Sequence, residues 1–171
     1  MTVPPHIRPE TPADIDVIRA LTQAAFKDAP HSQQTEAAIV DALRGADAMV
    51  LSLVAVDPDG GIMGHVVFSP VTIESGEGAW YALGPISVWP QLQRQGIGTA
   101  LVTDGLRRLE GWGARGCVLV GDPGFYSRFG FESDPRLTYR DVPARLVQRR
   151  VLVPPAPAGE IVFHEAFEAT G

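Results

Sequence analysis

Apolar positions recur along this chain in two periods, one helical and one strand-like, and the changes from one to the other mark out its elements. Thr11-Pro12-Ala13-Asp14 reads as a capping box with proline at the first helical position, and Ile15, Ile18, Leu21 and Ala25 follow at helical spacing. This predicts a helix over residues 12–26. A second helix is predicted over residues 35–44, where Ile39 and Leu43 share a face and Gly45 supplies the stop, with residues 27–32 as a loop between the two. Residues 49–56 are almost continuously apolar, as expected of a strand covered on both faces, and Asp57-Pro58-Asp59-Gly60-Gly61 turns the chain into a second strand, Ile62–Ile73. A turn at residues 74–78 leads to a strand over Trp80–Val88. Pro85 cannot donate to a ladder, so a bulge or an edge is expected there.

The period then changes again. Ile97, Leu101, Val102, Leu106, Leu109 and Trp112 form an apolar stripe that stops at Gly113, and Cys117-Val118-Leu119-Val120 reads as a strand reached by a right-handed crossover. Residues 136–150 are arginine-rich and read as a loop, residues 154–159 as a semi-rigid proline bridge, and residues 161–167 as a final strand. These pieces predict an α/β (α+β) chain with a mixed, twisted central sheet and helices on both faces.

Composition bounds what such a chain does. Its 171 residues suit one domain spanning 1–171, and a domain of that size buries roughly 70% of its unfolded surface. The single cysteine, Cys117, cannot form an intramolecular disulfide, and the N-terminus lacks a charged-then-apolar leader pattern, so a cytoplasmic location is expected. No apolar run is long enough to span a bilayer. The net charge of −6 argues against nucleic acid or an anionic membrane as a partner and weakly favours cationic substrates. The four histidines, His6, His31, His65 and His164, are far apart and no metal-ligand spacing occurs, so no metal is expected.

The stretch most suggestive of chemistry is Val88-Trp89-Pro90-Gln91-Leu92-Gln93-Arg94-Gln95-Gly96-Ile97-Gly98-Thr99, where a strand gives way to a glycine-spaced loop that opens a helix. Gly96 and Gly98 let the backbone approach a ligand closely, the first amides of the helix can converge on an anion at the positive end of its dipole, and Arg94 adds a charge. A dinucleotide fingerprint would need a third glycine where Leu101 stands, and a nucleoside-triphosphate loop would need a lysine before Thr99.

Gln93-Arg94-Gln95-Gly96-Ile97-Gly98 instead resembles the pyrophosphate-binding motif of the GNAT superfamily of acyl-CoA-dependent N-acyltransferases. Leu83-Gly84-Pro85-Ile86-Ser87-Val88 is similar to that family's fourth strand, Cys117-Val118-Leu119-Val120-Gly121-Asp122 to its fifth, and Pro123-Gly124-Phe125-Tyr126-Ser127-Arg128-Phe129-Gly130-Phe131 to the segment that closes the acyl site. The resemblance covers roughly residues 5–131. It implies that the fourth and fifth strands splay apart to form an acyl-CoA cleft. Ile86, Ser87 and Val88 would pair with the pantetheine arm of acetyl-CoA, and Gln93, Arg94, Gln95, Gly96, Ile97, Gly98 and Thr99 would hold the pyrophosphate. The acceptor is then an amine on a small molecule, a peptide or a protein, and a homodimer is a common arrangement in the family. Where many members carry asparagine after the fifth strand, this chain has Gly121-Asp122.

Tyr126 is the catalytic candidate. In a short helix opened by Asp122-Pro123, Phe125 and Phe129 share a face and are expected to anchor it, while Tyr126 points about 100° away, toward the cleft. Its phenol, with an ordinary pKa near 10, can donate to a departing thiolate of pKa about 8.5. A backbone N–H near Val88 is expected to stabilise the oxyanion. The base is not evident: Trp80–Val88 has no carboxylate, Glu74 and Glu77 read as solvated turn residues, and His65 could serve from the third strand, although a lone strand histidine is usually structural or surface-exposed. Cys117 reads as inert core and the arginines of 136–150 as solvated or salt-bridged. A non-catalytic acyl-CoA sensor and an enzyme for longer acyl chains remain as alternatives.

Overall fold

A computed structural model describes residues 4–30 and 32–170. His31 and the first three residues, both part of the sequence reading, lie outside the described residues. The helices are α1 (Ile15–Phe26), α2 (Glu36–Gly45), α3 (Ile97–Gly111) and α4 (Pro123–Tyr126). The strands are β1 (His6–Pro9), β2 (Leu51–Val56), β3 (Ile62–Ile73), β4 (Trp80–Val88), β5 (Gly116–Val120), β6 (Glu132–Ser133), β7 (Leu137–Thr138), β8 (Val147–Val151) and β9 (Gly159–Phe163).

The sheet runs in the order β1-β2-β3-β4-β5-β8-β6, with β9 pairing the far end of β3 and β7 pairing β9. It is antiparallel except for β4 against β5 and β7 against β9. Alternate residues of β2 and β3 serve opposite layers. Leu53, Ala55, Val66 and Phe68 pack against Ile97, Leu101 and Leu109 of α3, whereas Val54, Val56 and Val67 pack against Ile18, Ile39 and Leu43 of α1 and α2. The predicted capping box is present: a short 3-10 turn, Pro12–Asp14, leads into α1, and Asp14 accepts the Thr11 N–H. The bulge expected at Pro85 also forms. Val66 pairs with Ile86 and Phe68 with Leu83, so Gly84 and Pro85 together oppose one residue of β3.

Three readings need correction. Residues 136–150 are not simply a loop: β8 inserts between β5 and β6, with Val147 and Gln148 buried and the Arg149 guanidinium paired with Asp134 at 3.3 Å. Pairing to a buried carboxylate lets an arginine-rich run occupy an interior strand, a long-range effect that composition hides. The last strand ends at Phe163, because His164 caps a 3-10 turn, Glu165–Glu168, through Nδ1 at 3.0 Å from the Ala166 amide. Finally, β1 was not anticipated; its four residues, ending in proline, are defined by their pairing with β2 rather than by any local period.

Candidate active site

β4 and β5 stay together only over Trp80–Ala82 and Gly116–Val118. Beyond that register β5 ends at Val120 while β4 continues to Val88, so the cleft-side edge of Leu83–Val88 has no strand beside it. The gap opens into a cleft of about 1200 Å³. One side is closed by the first turn of α3 and by α4, the other by Phe26, Glu36 and Ile39 of α1 and α2 together with Tyr139, Phe163 and Phe167.

The glycine loop meets this cleft at the end of β4. Trp89 Nε1 donates to the Ile62 carbonyl at 3.0 Å, and Gln93 Nε2 donates to the Val88 carbonyl at 3.1 Å, which ties the loop to the sheet. Arg94 (φ 66°) and Gly96 (φ 87°) both lie in the left-handed region, and Gly96 caps α3. Such a φ costs a residue with a Cβ about 1–2 kcal/mol, which glycine avoids. The Ala100 amide bonds back to the Gly96 carbonyl at 3.0 Å, so the amides of Ile97, Gly98 and Thr99 precede the helical ladder. Ile86, Ser87, Val88, Gln93, Arg94, Gly96, Ile97, Gly98 and Thr99 all line the cleft. Gln95 is exposed and is not brought to it.

α4 crosses the open end of β5. Asp122 accepts the Gly124 amide at 2.9 Å and starts the helix as a side-chain cap. Tyr126 lines the cleft, its ring set edge-on to Phe125 (4.9 Å) and Phe131 (5.9 Å). Burial, followed by the nearby Asp122 carboxylate, pushes the phenol up to about 12, so it is a protonated donor at neutral pH. The expected division of labour in this helix needs one correction: Phe125 also lines the cleft, because α4 is a single turn and a 3-10 turn, Ser127–Phe129, follows it.

The base candidates fall elsewhere. Glu74 accepts the Glu160 amide at 3.1 Å, Glu77 is held down by the Ser75 hydroxyl, and neither lines the cleft. His65 is fully buried on β3, with Nε2 at 2.8 Å from Ser52 Oγ and 3.6 Å from Glu10 Oε1. Burial would raise the Glu10 carboxyl, but the nearby His65 together with hydrogen bonds from Arg44 and Ser52 outweighs it and holds the group at about 2. Glu10 is therefore only an acceptor, which makes Ser52 the donor to Glu10 and the acceptor of His65 Nε2–H. Burial also outweighs the pull of Glu10 on His65 and keeps the imidazole neutral. Cys117 is buried, and desolvation pushes its thiol upward. Arg136 pairs with Asp134 and Arg140 with Glu168, as a salt-bridged surface requires.

Sequence reasoning missed the wall made by Phe26, Glu36, Tyr139, Phe163 and Phe167. These residues form no local motif. Pairing of Val71 with Phe163, about 90 residues apart in sequence, carries the C-terminal segment onto the α1/α2 face.

A strand pair that parts midway beside a glycine-capped helix start defines a cleft for a long phosphorylated thioester, the architecture of an acyl-CoA-dependent acyltransferase. Residues 6–133 match the family model described as an acetyltransferase (GNAT) domain, and the chain belongs to this family of N-acetyltransferases. It is 38% identical over 126 residues to the uncharacterised N-acetyltransferase YhbS of Escherichia coli strain K12, covering 74% of this chain and 72% of that protein. Among solved structures it resembles a GNAT acetyltransferase from Brucella melitensis in complex with acetyl-CoA, at 47% identity and TM-score 0.84, over 95% of this chain and 97% of the other. It also resembles Escherichia coli YhbS in complex with CoA, at 32% identity and TM-score 0.89, over 100% and 96% of the two chains. No helix among the described residues is long and apolar enough to cross a membrane.

Proposed function

We propose that this N-acetyltransferase moves the acetyl group of acetyl-CoA to an amine by direct attack within a ternary complex. The observation that carries this reading is the parting of β4 from β5 after Ala82 and Val118, right beside the free amides of Ile97, Gly98 and Thr99. The pyrophosphate is assigned to those amides, with Gln93, Arg94 and Gly96 around it. The pantetheine arm is assigned to the unpaired edge at Ile86, Ser87 and Val88, which it joins as an added strand would. Gln95 keeps no more than a supporting place in the loop. The two relatives crystallised with acetyl-CoA and CoA support this assignment.

The chemistry then balances. The neutral amine nitrogen forms a bond to the acetyl carbon, the C–S bond breaks, one amine proton is lost, and the thiolate of CoA leaves and is protonated to the thiol. A lysine-like amine spends about 4 to 5 kcal/mol to be neutral at pH 7. Tyr126 donates to the departing sulfur, and a backbone N–H near Val88 faces the oxyanion. The phenol stays protonated through the step, since proton transfer from a group at about 12 to a thiolate of about 8.5 runs uphill. The test is thiol release from acetyl-CoA over a broad amine panel with wild type and Tyr126→Phe. The variant is expected to bind acetyl-CoA normally and turn over on the order of 100-fold more slowly. Absence of turnover by wild type with every amine would leave a sensor of acyl-CoA instead.

A further inference from the structure

The cleft is chemically two-sided. Its cationic lining residues, Arg94 and Arg128, stand on the α3 and α4 side assigned above to the cofactor, and Arg128 lies over the Phe125 ring at 5.0 Å. On the α1/α2 side the lining is aromatic. Tyr139 and Phe163 meet edge to face at 4.6 Å, Phe163 and Phe167 lie 5.2 Å apart, and Phe26 and Ile39 close the wall. All four rings are half-buried, so each leaves surface for a ligand. The one charged side chain on this wall, among the described residues, is Glu36 in the first turn of α2, whose carboxylate accepts the Ser32 hydroxyl at 2.6 Å. Lys27 lines a separate pocket of about 360 Å³ that shares Phe26 and Glu36 with the cleft. Arg140 stacks on Tyr139 at 5.2 Å but is already paired with Glu168.

We propose that this wall is the acceptor subsite and that its substrate class is a compact amine with a flat aromatic body and no acidic group. The inference rests on the acetyl-transfer reading above and specifies its acceptor. Rings pack edge-on or offset against other rings, which suits an aromatic body between Phe26 and the Tyr139-Phe163-Phe167 row. An ammonium group is drawn by the Glu36 carboxylate and by ring faces, whereas a carboxylate or phosphate on the acceptor meets a carboxylate with no counter-cation on this wall among the described residues. Three of the four rings lie beyond residue 133, where the matched family domain ends, so this selectivity belongs to the C-terminal segment rather than to the shared cofactor half.

The experiment compares acetyl-CoA-dependent thiol release with phenethylamine, n-butylamine and phenylalanine, for wild type, Phe163→Ala and Glu36→Gln, with CoA binding measured on each. The proposal expects kcat/KM for phenethylamine to exceed that for both other amines by at least tenfold. It also expects each variant to raise the KM for phenethylamine by about tenfold while CoA affinity stays within about twofold. Equal or better turnover of n-butylamine or phenylalanine, or variants that leave the phenethylamine KM unchanged, would overturn the substrate class and leave acetyl transfer standing. Acetylation of a peptide amine but of no arylalkylamine would do the same. Failure of wild type to bind CoA would instead remove the acetyl-transfer reading, and this inference with it.

Discussion

Gly121 lies directly under the ring of Tyr126: a Cβ placed on Gly121 would fall 2.6 Å from Tyr126 Cε2 and 3.2 Å from Cδ2. No side chain fits there unless the tyrosine moves, and the tyrosine is held by Phe125 and Phe131. The departure from asparagine at the end of the fifth strand is thus tied to where the phenol stands.

Gly121→Ala therefore displaces the donor without touching the phosphate loop. We expect kcat to fall on the order of 10- to 100-fold while CoA affinity changes by less than about twofold. Steady-state kinetics beside calorimetric CoA titration checks this, and unchanged kcat would show that the ring position is immaterial.

With the phenol at about 12, Tyr126 stays protonated throughout the assay range. The pH profile of kcat/KM for an amine of lysine-like pKa should climb by about one decade per unit from pH 7 to 9 and show no descending limb below about pH 10. A fall starting near pH 8 would mean that the essential acid is some other group.

Two carboxylates near the start of the chain contribute to the acid side of stability, as does Asp134, which Arg136 holds well below the usual carboxylate range. Asp14, bound by Arg8 at 2.7 Å and by the Thr11 amide, is held at about 2 against an ordinary 3.8, and Glu10 sits at about 2 against 4.5. Because both folded values are depressed, their contribution is complete above about pH 4.5 and drains away as pH falls toward 2. Asp14→Asn should cost about 2 kcal/mol at pH 7, and its stability should converge with wild type near pH 2. A constant gap across that range, measured by urea unfolding, would contradict the assignment.

The glycine loop, the β4 bulge and the start of α4 were legible in the sequence because their determinants are local. Gly96 reports a left-handed helix cap, Pro85 reports a bulge, and Asp122-Pro123 reports the start of α4, each within a few residues. The aromatic wall of the cleft was not legible. Phe163 reaches it only through the register of β9 on β3, and Glu36 through the packing of α2 on the sheet, contacts that no window of sequence contains. β8 was misread for a related reason: Arg149 belongs inside because Asp134 is there to meet it. For His65 the sequence left a base, a structural residue and an exposed one all open, and its bond to Ser52 places it in a buried network with Glu10 and Arg44.

The central claim is that main-chain amides at the start of α3 hold the diphosphate of CoA. A Cβ on Gly98 would sit in ordinary contact with Phe125 Cζ (3.5 Å) and Ile86 Cδ1 (4.0 Å), so a longer side chain there must project into the cleft. Isothermal titration of CoA into wild type and Gly98→Leu, with melting temperatures recorded for both, is the direct measurement. The account predicts that affinity drops by about 100-fold or more at a nearly unchanged melting temperature. Full affinity in the variant would contradict it.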